Sequence, residues 1–421
     1  MQLRHLHPAS YKLPASTGFE SNKNLGTFAF FIQTFFFYNV SNLEAPGGIF
    51  FNQTDNSSAL INRSGDDSEE PIGPMVGKII GEDFFHDVIT PSISCSGRDV
   101  ELVICVPVKR DAWQKRKAIR QTWGSYGNSG VRSTHTDSST AVGNFVLPTP
   151  SPSNIHNPFP ISDDGNATVE RKGDVVLIFF LGSSSTLNET EEQETIEREA
   201  QVYGDIYQAD YIDTYENLTL KSISMFNFVA LKCPNARYMA KVDDDVYINI
   251  ANLLTVLQNH TEVLTQNNIS GAQYNASASN STDRENPLNP LFAFGDKFKD
   301  APVIRNKTDK WYTPFKVFKD KCYPSYLSGT AYAMSGSTAL EIHKATQRVP
   351  FFWMEDIYIM GLCAKEANVA LIGDNRFAIY KRKPTGCSLR DKISSHEHTI
   401  KELYKIHREL NNPSLKCKRK K

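Results

Sequence analysis

The sequence predicts an α/β fold, a mostly parallel sheet with helices on both faces, and three observations carry that prediction. Residues 100–106 (V-E-L-V-I-C-V) and 174–181 (D-V-V-L-I-F-F-L) are apolar runs of strand length, the pattern of strands covered on both faces. Helical candidates lie between and after them, at 114–123, 189–203, 215–233 and 250–259. Strand, helix, strand in that order is how parallel sheets are wound. A chain of 421 residues with 40% hydrophobic content can bury the core such a sheet needs.

In chain order, residues 1–24 are a short lead carrying Arg4, Lys12 and Lys23, and residues 25–40 hold the run Phe28-Ala-Phe-Phe-Ile-Gln-Thr-Phe-Phe-Phe-Tyr38. This run is shorter than the roughly 20 apolar residues of a spanning helix, and Gln33 and Thr34 interrupt it. It reads as a marginal signal anchor with a cytoplasmic lead, or as a cleaved signal peptide. Residues 41–98 are rich in Asn, Ser, Gly, Asp and Pro without a sustained period, as in a flexible stem. Residues 125–172 have a similar composition between two patterned segments and read as a disordered surface insertion, and 267–283 as a glycosylated loop. A basic tail closes the chain at 411–421. No internal repeat is present.

Net charge is −1, which gives no basic field for nucleic acid. Twelve Asn-x-Ser/Thr sequons, from Asn39 to Asn306, suit a lumenal or extracellular chain. Seven cysteines without C-x-x-C spacing suit disulfides and at least one odd thiol in an oxidising compartment, with the pairing left open.

The most informative stretch is Lys241-Val-Asp243-Asp244-Asp245-Val-Tyr-Ile-Asn249, where three carboxylates end the apolar run 237–242. An acidic turn capping the next helix is one reading. The other is a site for a hard divalent cation, which the position at the carboxyl end of a strand favours, since ligands of such sheets bind there. A second acidic pair, Glu355-Asp356, precedes an apolar helix and reads either as a cap or as a base able to take a proton from a hydroxyl. Between them, Tyr323-Pro-Ser-Tyr326-Leu-Ser-Gly329-Thr330-Ala-Tyr332 offers aromatic faces with small residues between, suited to a sugar ring or to a tight turn into a core strand.

Together with Arg116-Lys-Ala-Ile-Arg120-Gln-Thr-Trp123-Gly124, Phe179-Phe-Leu-Gly182, 199–205, and Asp213-Thr-Tyr215-Glu-Asn-Leu-Thr-Leu-Lys221, these stretches resemble the beta-1,3-galactosyltransferase family (glycosyltransferase family 31). The resemblance implies a GT-A type, Rossmann-like catalytic domain over 99–410 in a type II protein of the Golgi membrane. It implies a UDP-sugar donor, Mn2+ held by Asp245 with Asp243 in support, Asp356 as the base, and a further metal ligand at His396, with His398 as its neighbour in register. Arg116, Arg120, Lys241, Asp243 and Asp244 are then expected near the nucleotide or its supporting shell, although the arginines could equally only pin their helix to the acidic strand end. Tyr326, Gly329, Thr330, Tyr332, Trp353 and Glu355 are expected near the acceptor or sugar. Asp213, Tyr215 and Lys221 read as a structural set, and Trp123 as core. Leu327 stands where the family commonly has cysteine and Ala331 where glycine is usual, and the insertion is long. Galactose transfer from UDP-galactose to a glycoprotein or glycolipid glycan is the reading favoured by Ser328-Gly329-Thr330. N-acetylglucosamine transfer and an inactive glycan-binding relative are the alternatives.

Overall fold

The computed structural model describes residues 75–126, 173–184, 190–269 and 290–417. The lead, the apolar run at 25–40, most of the insertion and most of the 267–283 loop lie outside the described residues. Chain order is β1 (Asp87–Ile89), β2 (Val100–Pro107), α1 (Trp113–Gln121), β3 (Asp174–Ser183), α2 (Thr190–Tyr203), β4 (Ile206–Ile212) and α3 (Leu218–Lys232). It continues with β5 (Tyr238–Val242), β6 (Tyr247–Ile248), α4 (Ile250–Ile269), β7 (Phe292–Phe298), β8 (Tyr326–Ser335) and α5 (Gly336–Thr346). A π-helix (Ile357–Cys363) runs into α6 (Ala364–Glu366), followed by β9 (Ala370–Gly373), α7 (Gly386–Leu389), β10 (Ser394–Ser395) and α8 (Ile400–Leu410).

Eight strands form one sheet in the order β1-β4-β3-β2-β5-β8-β7-β9. Strands β4, β3, β2 and β5 are mutually parallel, β7 and β9 run the same way, and only β1 and β8 are reversed. The alternation of side chains along β2 divides the interior into two layers. Val103 and Cys105 join α3, α5 and the π-helix on one face, while Leu102, Ile104 and Val106 join α1, α2, α4 and α8 on the other. Because both faces are covered, the strands read as continuous apolar runs. Helix α3 is buried all round from Thr219 to Val229, its polar Thr219, Lys221, Ser222, Ser224 and Asn227 included.

Two expectations change. Residues 75–98 are not a flexible stem. Ile80 and Phe85 are buried, β1 pairs with β4, and Cys95 is bonded to Cys233 at the end of α3. An edge strand of three residues is too short to print a period on the sequence. Helix α4 runs on past Asn259 to Ile269, because Leu264 continues its buried stripe. Cys387 pairs with Cys417, whereas Cys322 is an exposed free thiol, so no disulfide forms beside Leu327. Among the described residues no helix is long and apolar enough to cross a membrane.

Candidate active site

Strand order reverses between β2 and β5: the chain moves outward through β3 and β4, then returns to place β5 on the other side of β2. The crevice beyond the carboxyl ends of these two strands is where such sheets bind ligands. The acidic triplet leaves β5 into it. The Asp243 N–H donates to the Thr330 carbonyl on β8 at 3.0 Å, and the Val246 N–H closes the turn on the Asp243 carbonyl at 3.2 Å.

The short β6–β10 ribbon does the long-range work. It sets Ser395 opposite Tyr247, so the next residue, His396, arrives beside Asp245 across 151 positions of sequence, with Nε2 at 3.2 Å from Asp245 Oδ1. His396 Nδ1 lies 3.0 Å from the Ile379 carbonyl, which can only accept, so this nitrogen carries the proton. That fixes the ring and leaves Nε2 for Asp245 or for a cation, the arrangement usual for metal-ligating imidazoles. Burial opposes both charges here, yet the contact overrides it: Asp245 is held below the usual carboxylate range and His396 above the usual imidazole range. The neighbouring His398 is directed elsewhere, its ring to Ser395 Oγ at 2.8 Å and its backbone N–H to the Asp245 carbonyl.

A second cluster lies on the β8 side. Lys241, buried in β5, bridges Asp243 Oδ1 at 2.7 Å and Glu355 Oε2 at 3.6 Å, and donates to the Gly329 carbonyl. Burial disfavours its charge, but Asp243 and Glu355 outweigh that and raise its pKa. Glu355 also accepts from Ser222 at 2.9 Å and from Tyr332 at 3.1 Å. Beside it Asp356 begins the π-helix and accepts from the Ile357 N–H at 2.8 Å, so it does act as a cap. Burial first, and then the charge of Glu355, push its pKa up to about 7, where a carboxylate can exchange protons near neutrality.

Several residues expected at the ligand are used otherwise. Arg116 is 1% exposed and holds Glu199 through two bonds of 2.9 and 2.6 Å, with its third nitrogen on the Lys109 and Arg110 carbonyls. Arg120 pairs with Glu199 and Asp205 at 2.7 Å and lies over the Tyr203 ring at 3.9 Å. With their donors so engaged, these arginines pin α1 to α2 and the turn before β4 rather than meeting a nucleotide. Asp243 commits one oxygen to Lys241, and Asp244 pairs with Lys115 at 2.6 Å, so Asp245 is the triplet member that meets the histidine. Tyr332 is 1% exposed and Trp353 7%, so neither ring is a sugar-binding surface; Tyr332 orients Glu355, and the Trp353 carbonyl accepts from Thr219. Glu355 sits beneath this network and positions its neighbours. Tyr326 stacks on Phe298 with centroids 5.1 Å apart, and Thr330 bonds Ser328 at 3.1 Å.

Of the set Asp213, Tyr215 and Lys221, Lys221 meets Asp213 at 2.6 Å, and its other bond, to the Val108 carbonyl, ties the end of β2 to the start of α3. Tyr215 stands apart from this pair and is 52% exposed. Trp123 is in the core. The sequence reading missed Lys115, Thr219 and Ser222. The last two left a signal, polar residues three apart on one face of α3.

Asp245 and His396 supply one oxygen and one nitrogen donor on a common cleft, a pair that suits a first-row divalent cation. Among the described residues no group of three His, Cys, Asp or Glu could hold a metal ion by itself. Any cation there would complete its shell with solvent or with an anionic ligand.

A family model described as Galactosyltransferase matches residues 165–289 and 280–375. The rat lactosylceramide 1,3-N-acetyl-beta-D-glucosaminyltransferase is 27% identical over 76% of this chain and 69% of its own length. The human acetylgalactosaminyl-O-glycosyl-glycoprotein beta-1,3-N-acetylglucosaminyltransferase is 26% identical over 78% and 71%. The mouse beta-1,3-galactosyltransferase 1 is 24% identical over 79% and 81%.

Proposed function

Since the chain belongs to the galactosyltransferase family, we propose that it is an inverting β-1,3-hexosyltransferase moving a sugar from a UDP-sugar to the 3-hydroxyl of an acceptor glycan on a glycoprotein or glycolipid. The observation that carries this reading is the division of the cleft, with Asp245 facing His396 on one side, Asp356 on the other, and Lys241 between.

Asp245 and His396 would hold Mn2+, and the ion, when bound, neutralises charge on the departing diphosphate. Asp356 takes the proton of the acceptor hydroxyl as that oxygen attacks the anomeric carbon in line, so configuration inverts in one displacement. Glu355, bonded to Lys241, Ser222 and Tyr332, holds the start of the π-helix in place, and its charge raises the basicity of Asp356. Gly329 stands where a Cβ would meet Glu355 Oε2 at 2.5 Å, so a larger residue on β8 would push that carboxylate aside.

Galactose from UDP-galactose is the donor sugar favoured by the Ser328-Gly329-Thr330 turn. N-acetylglucosamine is the second reading, supported by the names of the more similar relatives. Release of UDP from each of the two nucleotide sugars, with manganese and a β-galactoside acceptor, separates them: turnover of UDP-N-acetylglucosamine alone would remove the galactose assignment. We place the protein in the Golgi membrane as a single-pass type II protein with residues 99–410 lumenal, a reading that the sequons and the two disulfides support.

A further inference from the structure

The geometry points to Tyr215 and Trp311 as the platform on which the apolar face of the acceptor's terminal sugar ring rests while its hydroxyl meets Asp356. This inference rests on the transfer reaction proposed above. A neutral sugar offers little to charged groups alone, whereas an aromatic face binds the C–H side of the ring and a phenol or indole N–H serves its hydroxyls. Both side chains are large and apolar yet open to solvent, Tyr215 at 52% and Trp311 at 39%.

Two independent tethers bring them to the base. Tyr215 lies three residues before the start of α3, whose first turns are bonded to the residues just before Asp356: Thr219 donates to the Trp353 carbonyl at 2.9 Å and Ser222 to Glu355 at 2.9 Å. Trp311 belongs to the excursion between β7 and β8, which is held as a fixed lobe. Arg305 donates to the carbonyls of Thr313, Phe318 and Asp320 at 2.7, 2.6 and 3.0 Å, and Pro302 bridges to Cys322. Thr313 bonds the Tyr323 hydroxyl at 2.8 Å, and the Tyr323 ring packs on Phe352, four residues before Asp356. The Trp311 side chain is a hydrogen-bond partner of the Tyr215 hydroxyl, and the charges of Asp356, the adjacent Glu216 and Glu355 reach that same phenol. The Lys310 ammonium lies 4.2 Å over the Trp311 ring, so a sugar ring takes the opposite face.

The test uses the whole chain with manganese, UDP-galactose or UDP-N-acetylglucosamine as donor, and lactose or methyl β-galactoside as acceptor. Trp311→Ala is expected to raise the acceptor KM by about tenfold or more, while the donor KM stays within about twofold, and Trp311→Phe recovers most of the loss. Tyr215→Ala acts in the same direction, and Tyr215→Phe keeps the stacking. Circular dichroism and Tm confirm that each variant folds. An acceptor KM unmoved in folded Trp311→Ala and Tyr215→Ala would overturn the platform and leave the transfer reaction standing. A wild type that releases UDP from neither donor would instead remove the reaction on which the platform rests, and the platform with it.

Discussion

Asp356 is the residue whose chemistry depends most on its surroundings. Buried beside Glu355, it has its pKa pushed up to about 7, and a base works only when ionised. The kcat/KM for the acceptor should therefore fall about tenfold per unit as pH drops below about 7 and level off above it. A pH profile shows this directly, and a flat profile from pH 5 to 8 would remove Asp356 as the titrating base. Asp356→Asn should lower kcat by about 10²–10⁴-fold while leaving donor affinity in place. Gly329→Ala makes a separate point. Its methyl would displace the Glu355 carboxylate and with it the Lys241 contact, so turnover should drop by about tenfold or more in a protein that still folds. Unchanged kcat would show that the 241–355 network does not position the base.

At the scale of elements, what was legible and what was not follow from range. The apolar runs at β2 and β3 and the helical stretches of α2 and α3 are written locally, and the sequence shows them. The meeting of Asp245 with His396 depends on the two-residue ribbon β6–β10, too short to leave a pattern, and only a family resemblance could select His396 over His398. Composition misleads for α1. Arg116 and Arg120 look like phosphate ligands because guanidinium suits phosphate, but it suits Glu199 and Asp205 equally, and nothing in the local sequence distinguishes the two. Arg120→Met would leave Asp205 buried without its partner, and should cost roughly 3–5 kcal/mol in denaturant unfolding. Its folded fraction should still bind UDP with wild-type affinity; a selective loss of UDP binding at unchanged stability would return Arg120 to the nucleotide site.

For the whole molecule, the described residues of 75–98 become part of the domain through β1, the buried Ile80 and Phe85, and the Cys95–Cys233 bond. Their Asn- and Ser-rich context hides these few contacts, which is why composition alone suggests a stem. Cys95→Ser with Cys233→Ser should lower stability by roughly 2–5 kcal/mol without changing the KM for donor or acceptor, because the bond lies at the far end of α3 from Thr219 and Ser222. A change in either KM would mean that this end of the fold reaches the cleft. The cleft itself needs the sheet as a whole: β5 supplies Lys241 and leads into Asp243, β8 supplies Gly329, and the ribbon leads into His396. The central claim is that its two sides have separate duties. It is tested most directly by calorimetric titration of UDP with and without manganese into the wild type, Asp245→Ala and Asp356→Ala. The account predicts that Asp245→Ala loses the manganese-dependent part of UDP binding while Asp356→Ala keeps it and loses only transfer. Equal loss of manganese-dependent binding in both variants would contradict it.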